Sequence, residues 1–207
     1  VFVPVGQPLL SAGHIGDGIR SVFRDRMISL PDAATDWISF AAGIASAGKI
    51  VVAAAGRLDV VDEMRFVAAH VNNNITICSV PRESAADIAS SEDLAIARTL
   101  PHAEVFAPAD VEETDQILDH CVTRHVLSVV RLSGSLTRDS SPAVFNGACR
   151  FSPGLWPRLK EGNDVGLLAC GSETACALRA SEILSSQNVA ASVWNASSIN
   201  PADHSAV

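Results

Sequence analysis

Short runs of apolar and β-branched residues alternate along the chain with longer amphipathic stretches, and this alternation constrains the fold more than any other feature. A repeating strand, helix, strand order is the signature of an α/β protein: a mainly parallel sheet with helices on both faces. From the N-terminal side, the pattern predicts a helix from Ala34 to Ala47, after Pro31 and ended by Gly48. A strand from Ile50 to Ala54 follows, then a helix from Val60 to Val71 with Val60, Met64, Val67 and Val71 on one face. Ile75 to Val80, Ala103 to Ala107 and Val126 to Leu132 are continuous apolar runs, as expected of strands covered on both faces.

Between the last two runs, Asp110 and Glu113 have the spacing of a capping box, opening a helix to about His125 that turns Ile117, Leu118 and Cys121 inward. From Ser133 the pattern breaks into Ser, Pro, Gly and Arg, so residues 1–134 read as one domain and 135–162 as a linker. Residues 163–207 begin a second α/β domain: a strand from Asp164 to Cys170, a helix from Ser172 to Ser186 with Ala175, Leu178 and Ile183 facing in, and a strand from Val189 to Trp194. One such βαβ unit leaves its sheet edge unpaired and must lean on something else.

Composition narrows the function classes. With 23 acidic against 15 basic residues the net charge is −8, which excludes the basic stripe that nucleic-acid binding requires. The apolar runs break well before the roughly 20 residues of a membrane span. Five cysteines, with no CxxC pair, make poor material for a disulfide framework, and a reducing cytoplasm is the expectation. Aromatic residues make up only 5% of the chain, and tyrosine is absent.

Several local motifs carry no chemistry on inspection. Gly43 to Ile50 looks like a phosphate-cradling loop, yet it lies between a helix end and a strand start, the reverse of what such a loop needs, and Ile50 stands where Ser or Thr should be. Gly13 to Gly18 is glycine-rich without a convincing strand before it. His120 and His125 would diverge by about 140° on a helix and cannot share a metal. Gly171-Ser172-Glu173 reads as a strand-to-helix turn rather than a nucleophile elbow. No metal-ligand set is expected.

Glu92 to His102, followed by Val105 to Glu113, resembles the pyrimidine-binding domain of transketolases and deoxyxylulose-phosphate synthases. Upstream, Asp25 to Pro31 and Ala41 to Lys49 are similar to that family's segment around its catalytic glutamate and the helix behind it. Downstream, Val129 to Ser133 closes the domain, and Glu161 to Glu173 with Ile199 to Asp203 resembles the start of the family's C-terminal domain. The resemblance covers nearly the whole chain in family order. It implies the C-terminal subunit of a split transketolase, transferring a two-carbon ketol unit with thiamine diphosphate. The diphosphate and Mg2+ would be held by a separate N-terminal transketolase-like subunit, in a heterotetramer.

The same resemblance exposes departures. Ala34 stands at the position of the family's glutamate, which exchanges a proton with the cofactor's pyrimidine, and an alanine exchanges none. The pyrimidine-stacking aromatic falls at Gly56, with Arg65 in the following helix, and a second aromatic position falls at Ala53. A substrate histidine falls near Ile88, and the arginine that clamps sugar phosphate falls at Gly134, leaving Arg131 as the nearest cation. Two expectations follow. Either the enzyme acts on a non-standard substrate, including ones without phosphate, with the cofactor's own iminopyrimidine or a displaced carboxylate, Asp32 or Asp36, taking over from the glutamate, or the chain is a non-catalytic scaffold or regulatory paralogue.

Overall fold

A computed structural model describes residues 2–4, 24–30, 36–55, 58, 61–70, 74–79, 88–132, 143–148 and 150–206. Among these, a first sheet contains β1 (Phe2–Pro4), β2 (Val51–Ala55), β3 (Ile75–Ser79), β4 (Glu104–Phe106), β5 (Leu127–Arg131) and β9 (Ser198–Asn200). Their spatial order is β1-β2-β3-β5-β4-β9; every pairing is parallel except β4 with β9. A second sheet, in the order β6-β8-β7, contains β6 (Arg158–Lys160), β7 (Val165–Ala169) and β8 (Ala191–Asn195). The helices are α1 (Trp37–Ser46), α2 (Val61–His70), α3 (Ile88–Arg98), α4 (Val111–Val122) and α5 (Glu173–Ser186).

The two faces of the first sheet carry separate cores, as a side-chain period of two requires. Val51, Ala53, Ile75, Ile77, Leu127 and Val129 meet Trp37, Ile38 and Ala41 of α1, Met64 and Val67 of α2, and Ala97 of α3. The alternate residues Cys78, Phe106 and Val130 meet Ile117 and Cys121 of α4. Three helices therefore cover one face and α4 the other. Helix α1 closes as the sequence predicts, with Gly48 at φ 78°, a left-handed position that glycine adopts without strain.

The second unit departs from expectation in three places. The linker range holds strand β6, which pairs antiparallel with β8. Gly162, at the end of that range, approaches β8 so closely that a Cβ there would collide with the backbone of Ala191 and Ser192. The third departure is Ile183, which faces outward at 61% exposure, while the inward stripe of α5 is Thr174, Ala175 and Ser181. Small polar residues can line that stripe because partners satisfy them: the Lys160 ammonium donates to the Ser181 carbonyl and hydroxyl and to Ser185 Oγ. Among the described residues no helix is long and apolar enough to cross a membrane.

Candidate functional site

Ligands of parallel α/β sheets bind outside the carboxyl ends of the strands, where neighbouring connections leave for opposite faces. In this chain β3 leads to α3 on one face and β4 leads to α4 on the other, with β5 between them. The crevice of this sheet therefore lies at the carboxyl ends of β3, β5 and β4.

One wall is organised by Asp93 of α3, which is 5% exposed. Its carboxylate accepts from Ser79 Oγ at 3.0 Å and from the Leu58 N–H at 3.4 Å, and lies 3.6 Å from Nε of Arg131. Arg131 also donates from Nη1 to the Leu132 carbonyl at 3.1 Å, while Leu132 N–H donates to the Ser79 carbonyl at 2.8 Å. This closed cluster ties the ends of β3 and β5 to the segment after β2. Burial pulls the Arg131 guanidinium below its ordinary pKa, and the charge of Asp93 opposes that shift.

The opposite wall is the start of α4. Asp110 caps the helix, accepting the Glu113 N–H on Oδ1 at 2.9 Å, while its Oδ2 takes the N–H groups of Val144 and Phe145 at 2.8 and 3.1 Å. Glu113 does not complete the expected capping box. Its Oε2 takes the Ala109 N–H at 2.7 Å, and Oε1 takes Asn195 Nδ2 at 2.9 Å and Ser197 Oγ at 2.5 Å, both from the second unit. Burial raises the Glu113 pKa; the hydrogen bonds from Ser197, Ala109 and Asn195 oppose that rise.

The structure scatters the residues singled out by sequence. Ala53 is fully buried in the middle of β2, packed into the core beneath the helices, so it presents nothing to a ligand. Arg131 is turned inward onto Asp93, its side chain 7% exposed. Ile88 is the first residue of α3. Asp36 is exposed at the start of α1, and its side chain makes no capping hydrogen bond. Asp32, Ala34, Gly56 and Gly134 lie outside the described residues.

The neighbouring nucleophiles and bases are equally occupied. The thiols of Cys78 and Cys121 are pushed up to about 12, chiefly by burial, and are not thiolates near neutral pH. His120 bonds Glu104 through Nε2 at 2.9 Å and packs edge-on against Phe106 and Phe151. No group of three His, Cys, Asp or Glu among the described residues is placed to hold a metal. Sequence reasoning missed Asp93, Asn195 and Ser197. For Asp93 there was a signal: an acid one turn before Ala97, on the helix face that packs against the sheet.

Comparison with known proteins places this geometry. Residues 154–207 match the family described as transketolase, C-terminal domain. The whole chain aligns with one of the subunits of the apulose-4-phosphate transketolase of Actinobacillus succinogenes, at 25% identity over 215 residues and 68% of that protein. It is 29% identical to the 6-deoxy-6-sulfo-D-fructose transketolase subunit SqwH of a Clostridium species, covering 88% of this chain and 58% of that one. A solved split-gene transketolase, described as an inactive β4 tetramer, superposes at TM-score 0.79 and 28% identity over 98% of this chain and 67% of its own. The chain spans about six- to seven-tenths of these relatives. Residues 154–207 are thus similar to the C-terminal domain of transketolases, and the chain as a whole is similar to subunits of split transketolases.

A grip on the aminopyrimidine of thiamine diphosphate requires an aromatic face and a carboxylate free to exchange a proton. At the two described walls the carboxylates of Asp93, Asp110 and Glu113 are engaged internally, and the rings beside them, Phe106 and Phe145, are buried. The described part of the crevice does not fit that half of the cofactor.

Proposed function

We propose that this chain is the C-terminal subunit of a split transketolase-like enzyme that moves a two-carbon ketol unit, with residues 1–134 as its pyrimidine-side domain and 163–207 as the start of the C-terminal domain. The observation that supports this most is the match, along 98% of the chain, to a split-gene transketolase whose β chains alone form an inactive tetramer. In this reading an N-terminal subunit completes the enzyme, as a heterotetramer in the cytoplasm, and carries the thiamine diphosphate through its diphosphate and Mg2+. The substrate is non-standard. Gly134 replaces the phosphate-clamping arginine and Arg131 is committed to Asp93, which suits a substrate without a phosphate group, and one relative is described as acting on a sulfonated sugar.

A second reading has its own support. The closed carboxylates of the crevice, with Ala34 and Gly56 at the family's acid and aromatic positions, suit a non-catalytic scaffold for an active subunit.

One experiment separates the two. The chain is co-expressed with a transketolase-like N-terminal subunit, and the purified complex is assayed for retained thiamine diphosphate and for ketol transfer. Retention with turnover supports the enzyme, and a complex that binds no cofactor leaves the scaffold. In an active complex, Asp32→Asn and Asp36→Asn identify any substitute acid. The one that lowers kcat without changing cofactor retention fills the glutamate's role.

A further inference from the structure

Glu113 is a buried acid for which no cation is paired among the described residues. Removing a carboxylate from water costs several kcal/mol or more unless strong donors replace the water. Here the donors come from different parts of the chain: the Ala109 N–H beside β4, and the Asn195 amide and Ser197 hydroxyl at the carboxyl end of β8. Asn195 is itself held, since its Oδ1 accepts from Thr174 Oγ1 at the start of α5 at 3.1 Å.

Main-chain bonds close around the same point. Ala107 N–H donates to the Ser197 carbonyl at 2.8 Å, Gly171 N–H to the Ala107 carbonyl at 3.0 Å, and Ala196 N–H to the Ala169 carbonyl at 2.7 Å. The carboxyl ends of β4, β7 and β8 therefore converge on one side chain. The second sheet brings little stability of its own to this junction: three strands, with Val165 and Leu168 of β7 exposed.

We infer that Glu113 is an interdomain latch: a carboxylate of the first unit that holds the strand ends of the second, and without which the second sheet opens while the first stays folded. A glutamine can take its place. Its carbonyl accepts from Ala109, and its amide donates to Ser197 Oγ and to the Asn195 oxygen once that side chain flips, with Thr174 reversing its hydroxyl.

Hydrogen exchange read by mass spectrometry on the full chain tests this. Glu113→Ala should speed exchange at least tenfold in residues 165–169 and 191–195, leave residues 51–55 and 75–79 at the wild-type rate, and be rescued by Glu113→Gln. Ser197→Ala, which removes one donor and leaves the acid in place, should give the same pattern at several-fold. If the alanine variant at 113 does not fold, the Ser197 variant decides. Equal acceleration in both sheets, or none in the second, overturns the latch.

Discussion

Strands β5 and β7 have the same kind of sequence, LSVVR and VGLLA, and opposite fates. All five residues of β5 are buried, whereas Val165 and Leu168 of β7 stand 39% and 55% exposed. The difference lies in layers. β5 has helices on both faces and a strand on each side; among the described residues β7 is an edge, paired only with β8. An apolar run reports what a strand tolerates having packed on it, and the surrounding elements decide how much is packed. The first sheet is therefore expected to hold most of the stability of the chain, with the second dependent on its attachment to the first.

Core truncation should show the contrast at its largest. Phe106 is fully buried and meets Phe151 edge-on at 5.3 Å, so Phe106→Ala should cost about 3–5 kcal/mol. Leu168→Ala on the exposed edge should change stability by no more than about 0.5 kcal/mol. Urea midpoints of the two variants measure this. A large loss at Leu168 would mean that another surface covers β7 in solution.

Next comes the buried ion pair. Asp93→Ala leaves the Arg131 guanidinium buried against carbonyls alone and should cost about 3 kcal/mol or more. Pairing it with Arg131→Met removes the stranded charge and should recover most of the loss. If the double variant is as unstable as the single one, the pair contributes more than charge compensation and Arg131 has a role beyond balancing Asp93.

These two sites also mark how far the sequence could be read. Strands β2 to β5 and helices α1, α2 and α4 were visible because burial on two faces leaves long apolar runs and helical stripes, whereas β1 and α3 were not read from the sequence. Strands β6 and β9, three residues each, carry too few side chains to show a period, and β9 joins the first sheet antiparallel from 92 residues beyond the end of β4 (198 − 106), a pairing no local pattern encodes. In α5 hydrophobicity pointed to Ile183, because the inward Thr174 and Ser181 are polar and owe their burial to Asn195 and Lys160, remote in sequence. The same limit hid half of the crevice. Asp110 and Glu113 were legible as a helix start, but Glu113's true partners lie 82 and 84 residues away.

A smaller effect is expected at the cap itself. Asp110→Ala removes the acceptor for Glu113 N–H and frees the Val144 and Phe145 amides, so a loss of about 1–2 kcal/mol is expected. Asp110→Asn, which keeps one acceptor oxygen, should restore part of it. Thermal unfolding of the two variants makes the comparison, and an unchanged midpoint in both would mean that residues 143–148 are not held by this carboxylate.

The smallest effect is a pH dependence, and it distinguishes the attachment point from the rest of the molecule by its sign. Burial raises the Glu113 pKa above its ordinary 4.5, so between that value and the raised one the folded chain keeps a proton that the unfolded chain gives up. The stability this provides is complete below pH 4.5 and is lost as pH rises through the folded value. Asp203 runs the other way. Hydrogen bonds from Ser205 and from the Trp156 N–H hold its carboxyl below the ordinary range, and its contribution is lost as pH falls through that lowered value. Comparing wild type with Glu113→Gln cancels Asp203, which both share. Plotted against pH, the stability difference should fall for wild type relative to the variant from pH 4.5 upward; a flat difference would show that the hydrogen bonds to Glu113 offset the whole effect of its burial.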